Sequence, residues 1–313
     1  MSVFSTALHL FGVVVLPTLL LVALGAVVQR AQKLDMTTLA RLQIYLFVPT
    51  FLFYYLYTSS LSLRDIGGIA AATLTAQAVL AFPLFALLWK WKVSRERFAV
   101  LMLSSVVFNA GNFGIPVAVR AFGPAGGAVQ ALIVMTANLS LWGIGYCLMA
   151  TLTGRGLGNA VKGYLKLPMV YMVIAAFSLR GLGIKLPEPV LYSLHLLAEG
   201  LVPLALVTLG AQLAQQARWP RWRHVVPVLC LKLLILPMVT AGVVVLFGLW
   251  PWPGAALILA ASAPTAVNTL LLALDQNGDV ELAADCVFWT TLFSAITVTL
   301  TLTILTALGG KPG

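Results

Sequence analysis

Two stretches of this sequence put helix-breaking and hydrogen-bonding residues where an uninterrupted apolar helix would be expected. The first is Val107-Phe108-Asn109-Ala110-Gly111-Asn112-Phe113-Gly114-Ile115-Pro116. Gly111 and Gly114 weaken a helix, and Pro116 deprives the Asn112 carbonyl, four residues earlier, of its backbone donor. Asn109, Asn112 and Pro116 stand at i, i+3 and i+7, so both amides share one face of any helical remnant. The second is Ala261-Ser262-Ala263-Pro264-Thr265-Ala266-Val267-Asn268, in which Thr265 and Asn268 are again three apart. In an apolar medium a freed backbone group must find a partner or line a cavity. Half-helices starting after Pro116 and Pro264 would bring free N–H groups, and roughly half a positive charge each, to one place. Amide and hydroxyl side chains beside them could hold an anion such as a carboxylate without a buried unpaired cation. The same residues also suit a second use, as packing kinks with amides acting as interhelical glue.

A few ionisable groups also interrupt apolar runs. Glu199 and Lys232 each lie about nine or ten residues into a span, roughly 15 Å deep at 1.5 Å per residue. They read either as a structural ion pair or, with His195 four residues before Glu199 on the same helix face, as part of a proton relay. Asp285 stands about a turn inside the last span, within reach of interfacial water. Asn138 is placed to face the Pro116 segment or to bond a neighbouring helix. Enzyme chemistry finds little support: His195-Leu-Leu-Ala-Glu199 lacks the second histidine of a zinc motif, and no cofactor or metal signature is present. Cys147, Cys230 and Cys286 form no CxxC pair and read as small packing residues.

The elements that must position these groups are membrane helices. The 313 residues are 61% hydrophobic and 9% charged, against about 25% charged in a soluble domain, which excludes an ordinary water-soluble core. Hydropathy and turn signals predict ten spans near 7–29, 37–59, 66–90, 97–121, 125–151, 161–180, 189–214, 223–249, 253–274 and 280–308. The first has no basic n-region and reads as a retained anchor. Thirteen of the 19 Lys and Arg fall on the side of the 1–2, 3–4, 5–6 and 7–8 loops, with five on the other side and Lys232 within a span. The positive-inside rule then places both termini outside, periplasmic to a multi-pass inner membrane. The net charge of +10 reads as orientation and attraction to anionic lipid, and no nucleic-acid partner is indicated. Trp89, Trp91, Trp142, Trp219, Trp222, Trp250 and Trp252 fall near span ends and read as interface anchors.

Proline marks an internal repeat. Pro17, Pro49, Pro83 and Pro116 pair with Pro168, Pro203, Pro237 and Pro264 at offsets of 151, 154, 154 and 148 residues. The chain therefore divides into a first five-helix repeat, 1–153, a short cytoplasmic linker, 154–163, and a second repeat, 164–313. An odd number of spans inverts the second copy, an architecture of secondary transporters with midplane sites at broken helices.

The motifs NAGNFGIP in span 4 and APTAVN in span 9, with LDQNGDVELAADCVFWTTLFSAIT leading through span 10, resemble the auxin efflux carrier family. That family includes the plant PIN exporters and bacterial malate or malonate permease-like members. The resemblance covers essentially the whole chain. It implies an all-α integral membrane fold, with a scaffold domain and a transport domain whose broken helices 4 and 9 cross near the substrate. It implies carriage of an organic anion, homodimers in the plant branch, and Asn109 as the residue that matches the carboxylate-holding asparagine. Gly111, Asn112, Gly114, Pro116, Pro264, Thr265, Asn268 and Asn138 complete the candidate substrate site. Glu199, Lys232, His195 and Asp285 are candidates for ion coupling or pairing. Proton or sodium coupling stays open, and the alternative is a sodium-coupled symporter resembling the bile acid:sodium family, whose fold is related.

Overall fold

The computed structural model describes residues 3–140, 166–216, 219–275 and 278–310. Cys147, Trp142, Arg155, Lys162, Arg218 and the linker 154–163 lie outside the described residues. The described chain is helical, and its one β-type pairing is an isolated bridge. We number the helices α1 Phe4–Gln32, α2 Met36–Thr58, α3 Leu63–Lys90, α4 Arg95–Val106, α5 Ala110–Ser140, α6 Pro168–Gly181, α7 Glu188–Gln216, α8 Trp222–Leu246, α9 Gly254–Ala261, α10 Asn268–Asp275 and α11 Val280–Ala307. Seven of them, α1, α2, α3, α5, α7, α8 and α11, are long and apolar enough to cross a membrane. Side chains such as Phe82, Met238 and Leu246, exposed on the outer surface, suit a lipid surround.

Local chemistry sets the helix ends. Asp35 caps α2 by accepting from the Thr37 and Thr38 N–H groups, and the Thr38 hydroxyl and these N–H groups hold its carboxyl below the usual value. Ser62 and Asp65 form a reciprocal capping box at the start of α3. Within α5, Gly123 takes φ +61°, ψ −151°, a conformation an L side chain resists, so the helix turns sharply there before Pro124. The stretch from Ala110 to Ser140 is thus two limbs meeting at a corner.

Four prolines share one device. Each of Pro17, Pro49, Pro116 and Pro237 stands two residues after a π-helical turn, at Phe11–Val15, Gln43–Phe47, Ala110–Gly114 and Leu231–Ile235. A proline lacks an N–H and its ring crowds the carbonyl four residues back, and one wide turn relieves both problems without ending the helix. For Pro17 the freed carbonyl is that of Val13, which accepts a 2.9 Å bond from Arg120 Nε.

The helices pack as two groups. α1 lies along α7, and α2 against α6 and α7. Gly25 and Gly210 let α1 and α7 approach almost backbone to backbone: a Cβ on Gly210 would sit 1.8 Å from the Val22 carbonyl oxygen, and one on Gly25 2.1 Å from that of Val207. The second group gathers α3, α5, α8 and α9, with α11 packed along α4, α8 and α10.

Candidate functional site

The site is built where the helical path fails twice. α4 ends at Val106, and Val107 turns extended at φ −88°, ψ 127°. Asn109 follows at φ −75°, ψ 68°, with the Ala110 N–H bonded at 2.8 Å to the Phe108 carbonyl. These are the marks of an inverse γ-turn centred on Asn109. Helix resumes at Ala110, not after Pro116 as the sequence reading expected. Pro116 lies in the second turn, where the π turn accommodates it. Opposite, α9 stops at Ala261 and α10 begins at Asn268, leaving Ser262 to Val267 between them.

The two interruptions cross and pair. Phe108 and Thr265 form an antiparallel bridge, with the Asn109 N–H donating to the Pro264 carbonyl at 2.7 Å and the Ala266 N–H to the Val107 carbonyl at 3.3 Å. Side chains satisfy other backbone groups left by the lost turns. The Thr265 hydroxyl donates to the Ser104 carbonyl at 2.7 Å, and the Thr265 N–H donates to Thr290 Oγ1 at 3.0 Å. The Gly114 N–H reaches back to the Asn109 carbonyl, and Gln130 Nε2 bonds the Ala110 carbonyl at 2.7 Å. Gln130 also explains Gly114, whose Cβ would lie 2.5 Å from that amide nitrogen. Each buried backbone group left unmet would cost about 1–3 kcal/mol, so the crossing is fixed by many small obligations met together.

Beside the crossing lies a cavity of about 360 Å³. Its wall takes Val107 to Asn112 from the first interruption, Ala266 to Asn268 from the second, and residues of α2, α5, α6 and α7. The first turns of both resumed helices reach the wall through Gly111, Asn112 and Asn268, while the Ala110, Thr269 and Leu270 N–H groups are taken by the carbonyls of Phe108, Ala266 and Val267. Among the described residues, every polar side chain on it is a carboxamide: Gln43, Asn109, Asn112, Asn138, Gln212 and Asn268. Asn109 is 5% exposed, and its Nδ2 is buried with no hydrogen-bond partner among the described residues.

Residues 152–302 match the family described as Membrane transport protein, the auxin efflux carrier family. An uncharacterized transporter of Methanothermobacter thermautotrophicus is 27% identical over 301 residues, covering 91% of this chain and 95% of the relative. An uncharacterized transporter of Methanocaldococcus jannaschii is 27% identical over 221 residues, covering 67% and 69%. These matches support an auxin efflux carrier-family transporter. The family match implies a membrane transporter.

Of the nine residues expected to bind substrate, the transporter brings Asn109, Gly111, Asn112, Asn138 and Asn268 to the cavity wall. Asn138 also donates to its own helix, to the Val134 carbonyl at 2.9 Å. Pro264 and Thr265 build the crossing itself, while Gly114 and Pro116 are buried behind it. Gln43 and Gln212 were missed, since each reads in sequence as a polar residue near the end of a span. Gln43 Nε2 reaches the Leu204 carbonyl at 3.4 Å, and Gln212 Oε1 is buried without a partner.

The charged candidates separate from one another. Glu199 does not meet Lys232: its side chain is 60% exposed on α7 and pairs with His195 at 3.4 Å, while His195 stacks on Tyr54. Lys232 is fully buried, its ammonium 4.8 Å from the centre of the Phe108 ring and without a hydrogen-bond partner among the described residues. Equal depth on different helices did not make them neighbours. Asp285, expected near interfacial water, is instead 1% exposed and accepts from Arg221 Nε at 3.3 Å. Arg221 also grips both oxygens of Asp279, at 2.8 and 3.3 Å, and Arg97 joins at 3.3 Å. Burial pushes the Asp279 carboxyl up, but the Arg221 hydrogen bonds, the Leu282 N–H and Arg97 together hold it below its ordinary value. This cluster ties the segment before α8 to the first turn of α4 and the segment before α11.

The aromatic and cysteine readings hold in part. Trp89, Trp91 and Trp219 are exposed, whereas Trp252 packs on Phe122 and Trp222 on Trp289. Cys286 is buried but Cys230 is exposed.

Proposed function

We propose that this transporter is a secondary carrier that moves an organic anion, a carboxylate such as malate, malonate or an auxin-like weak acid, by alternating access. The observation that carries the reading is the cavity at the crossing, lined by Asn109 and by the amino ends of two resumed helices. Helix amino ends and carboxamide donors on such a wall suit a carboxylate. The sodium-coupled alternative is less favoured, because no carboxylate lines this cavity among the described residues.

The proposed architecture is ten spans in two inverted five-helix repeats, with α4 and the first limb of α5 as span 4, and α9 with α10 as span 9. The packing supports it. Exchanging each span with its counterpart five later turns the α1–α7 contact into the α6–α2 contact, and maps the α3–α8 contact and the crossing onto themselves. Spans 1, 2, 6 and 7 would form the scaffold, against which the remaining spans carry substrate in an elevator-type movement. The inner-membrane orientation with both termini outside draws support from the loops. The basic start of α4 and the basic segment before α8 meet the acidic segment before α11 through Arg97, Arg221 and Asp279. The segments after α2 and α6 meet through Tyr57, which accepts from the Leu186 N–H and donates to the Ile184 carbonyl. The cavity would then lie toward the cytoplasm, since α2, α6 and α10 contribute the parts nearest the basic loops.

Uptake of labelled malate, malonate and indole-3-acetate into proteoliposomes, under imposed pH, Na⁺ and voltage gradients in turn, tests the carrier reading. If Asn109→Ala and Asn268→Ala both carried every accepted anion as well as wild type, the crossing would not be the substrate site.

A further inference from the structure

We propose that Arg120 and the main-chain carbonyl of Val13 form a latch between the scaffold and the moving spans, closed in the present conformation and released when the moving spans slide. This rests on the elevator reading above and names one contact that such a movement has to break. The acceptor is made by the sequence: Pro17 brings no N–H to the carbonyl four residues back, so Val13, inside the π turn Phe11–Val15, offers its carbonyl to an outside donor. That donor is Arg120 Nε at 2.9 Å, a charged group on a neutral acceptor. Arg120 lies on the first limb of α5, whose opening turns carry Gly111 and Asn112 on the cavity wall, about 12 Å away at 1.5 Å per residue. Ile115, Val117 and Ala118 between them are buried, so this limb is packed as one piece with the crossing.

Other arginine contacts stay within one group of helices. Arg97 and Arg221 bind Asp279 and join α4, α8 and α11, all moving spans. Arg180 bonds Ser59 Oγ and the Leu61 carbonyl, which ties α6 to the segment leaving α2. The Arg120 bond runs from one group to the other. The seam around it is close: a Cβ on Gly127, in the second limb of α5, would stand 2.3 Å from the Tyr55 ring of α2, and α1 up to Leu10 packs along α11. α1 and α2 join at the end where Ala40, Gln43 and Ile44 meet the cavity, whereas Val13 lies toward the other end of α1. The latch therefore shuts the side opposite the cavity. A displacement of about 1 Å takes a 2.9 Å bond out of range, and both residues are exposed, so water receives the two groups when they part. Such a contact biases the movement without blocking it.

Pulsed EPR distances read the two conformations without a substrate. Spin labels go on the exposed positions Ser193→Cys of α7 and Ala307→Cys at the end of α11, in the full chain held in lipid nanodiscs with Cys147, Cys230 and Cys286 replaced by alanine. Arg120→Gln removes the charge and Arg120→Ala the donor, while Pro17→Ala leaves Arg120 in place and gives the Val13 carbonyl a donor from its own helix. In all three the present distance should lose population to a second one by roughly two- to fivefold, the range of an exposed charged contact. An unchanged distance distribution in all three, with or without a fall in thermal midpoint, would show a merely structural contact and overturn the latch. The carrier reading would then still stand if the wild type takes up an anion in the proteoliposome assay above; failure of that uptake bears on the carrier reading alone.

Discussion

Replacing Asn109 by alanine should weaken substrate binding without weakening the fold. The backbone of Asn109 holds the crossing, through its N–H to Pro264 and its carbonyl from Gly114, and alanine keeps both bonds. The φ −75°, ψ 68° geometry is open to alanine as well. The side chain, by contrast, carries a buried donor with no protein acceptor, a condition that costs about 1–3 kcal/mol when nothing satisfies it. Removing it relieves the empty protein, so the thermal midpoint of Asn109→Ala without ligand should equal or exceed that of wild type. A hydrogen bond to a charged group contributes about 1.5–3 kcal/mol. At about 1.4 kcal/mol per tenfold, affinity should fall roughly 10- to 150-fold. The assay pairs thermal unfolding in detergent with uptake titrated over substrate concentration. A variant that melts well below wild type yet keeps its KM would show that Asn109 is interhelical glue, and the argument from its unpaired amide would fail.

Gly210→Ala should disrupt the α1–α7 contact, because its Cβ would fall 1.8 Å from the Val22 carbonyl oxygen, where backbone cannot yield as a side chain would; overpacking costs about 1–3 kcal/mol or more, visible as a lowered thermal midpoint and aggregation during size exclusion. Asp279→Asn should destabilise the protein near neutral pH. Because the folded-state pKa of Asp279 is depressed, the wild-type advantage is present above the ordinary value of 3.8 and disappears as pH falls through the lower folded value; melting curves at pH 7 and below pH 4 should therefore diverge and then converge. Lys232→Met should melt at or above the wild-type temperature, since it replaces a fully buried ammonium with no hydrogen-bond partner by an apolar chain of similar length; a large drop would mean that Lys232 has a structural partner beyond the Phe108 ring.

Depth along the membrane was readable in the sequence, but direction around each helix was not. The all-helical membrane character and both interruptions followed from hydropathy and helix-breaking residues, which are local properties. Glu199 and Lys232 were matched by depth alone, yet one faces outward beside Tyr54 and the other inward beneath Phe108. Asp285 could not be paired with Arg221 without knowing that two segments 64 residues apart meet. Gln43 and Gln212 belong to the cavity only because α2 and α7 close its side, and the low amphipathicity of a lipid-embedded helix leaves its inward face unmarked.

Proline itself illustrates why the position of the first break was misjudged. Proline was taken as the breaking residue, but four prolines stand in continuing helices, each two residues beyond a π turn. What ends α4 is the set of partners that makes three non-helical residues affordable. Val107 and Asn109 are bonded by the opposite strand of chain, the Ser104 carbonyl is met by Thr265, and the Ala110 carbonyl by Gln130. None of those partners lies within the motif, and Thr265 and Gln130 come from other segments of the chain. The motif NAGNFGIP therefore permits a break, and the tertiary partners choose its place six residues ahead of Pro116. That displacement sets Asn109, Gly111 and Asn112 on the cavity wall and buries Gly114 and Pro116 behind it. An engineered Gln130→Leu, which leaves the Ala110 carbonyl unmet, should thus disturb substrate binding from a position that does not line the cavity.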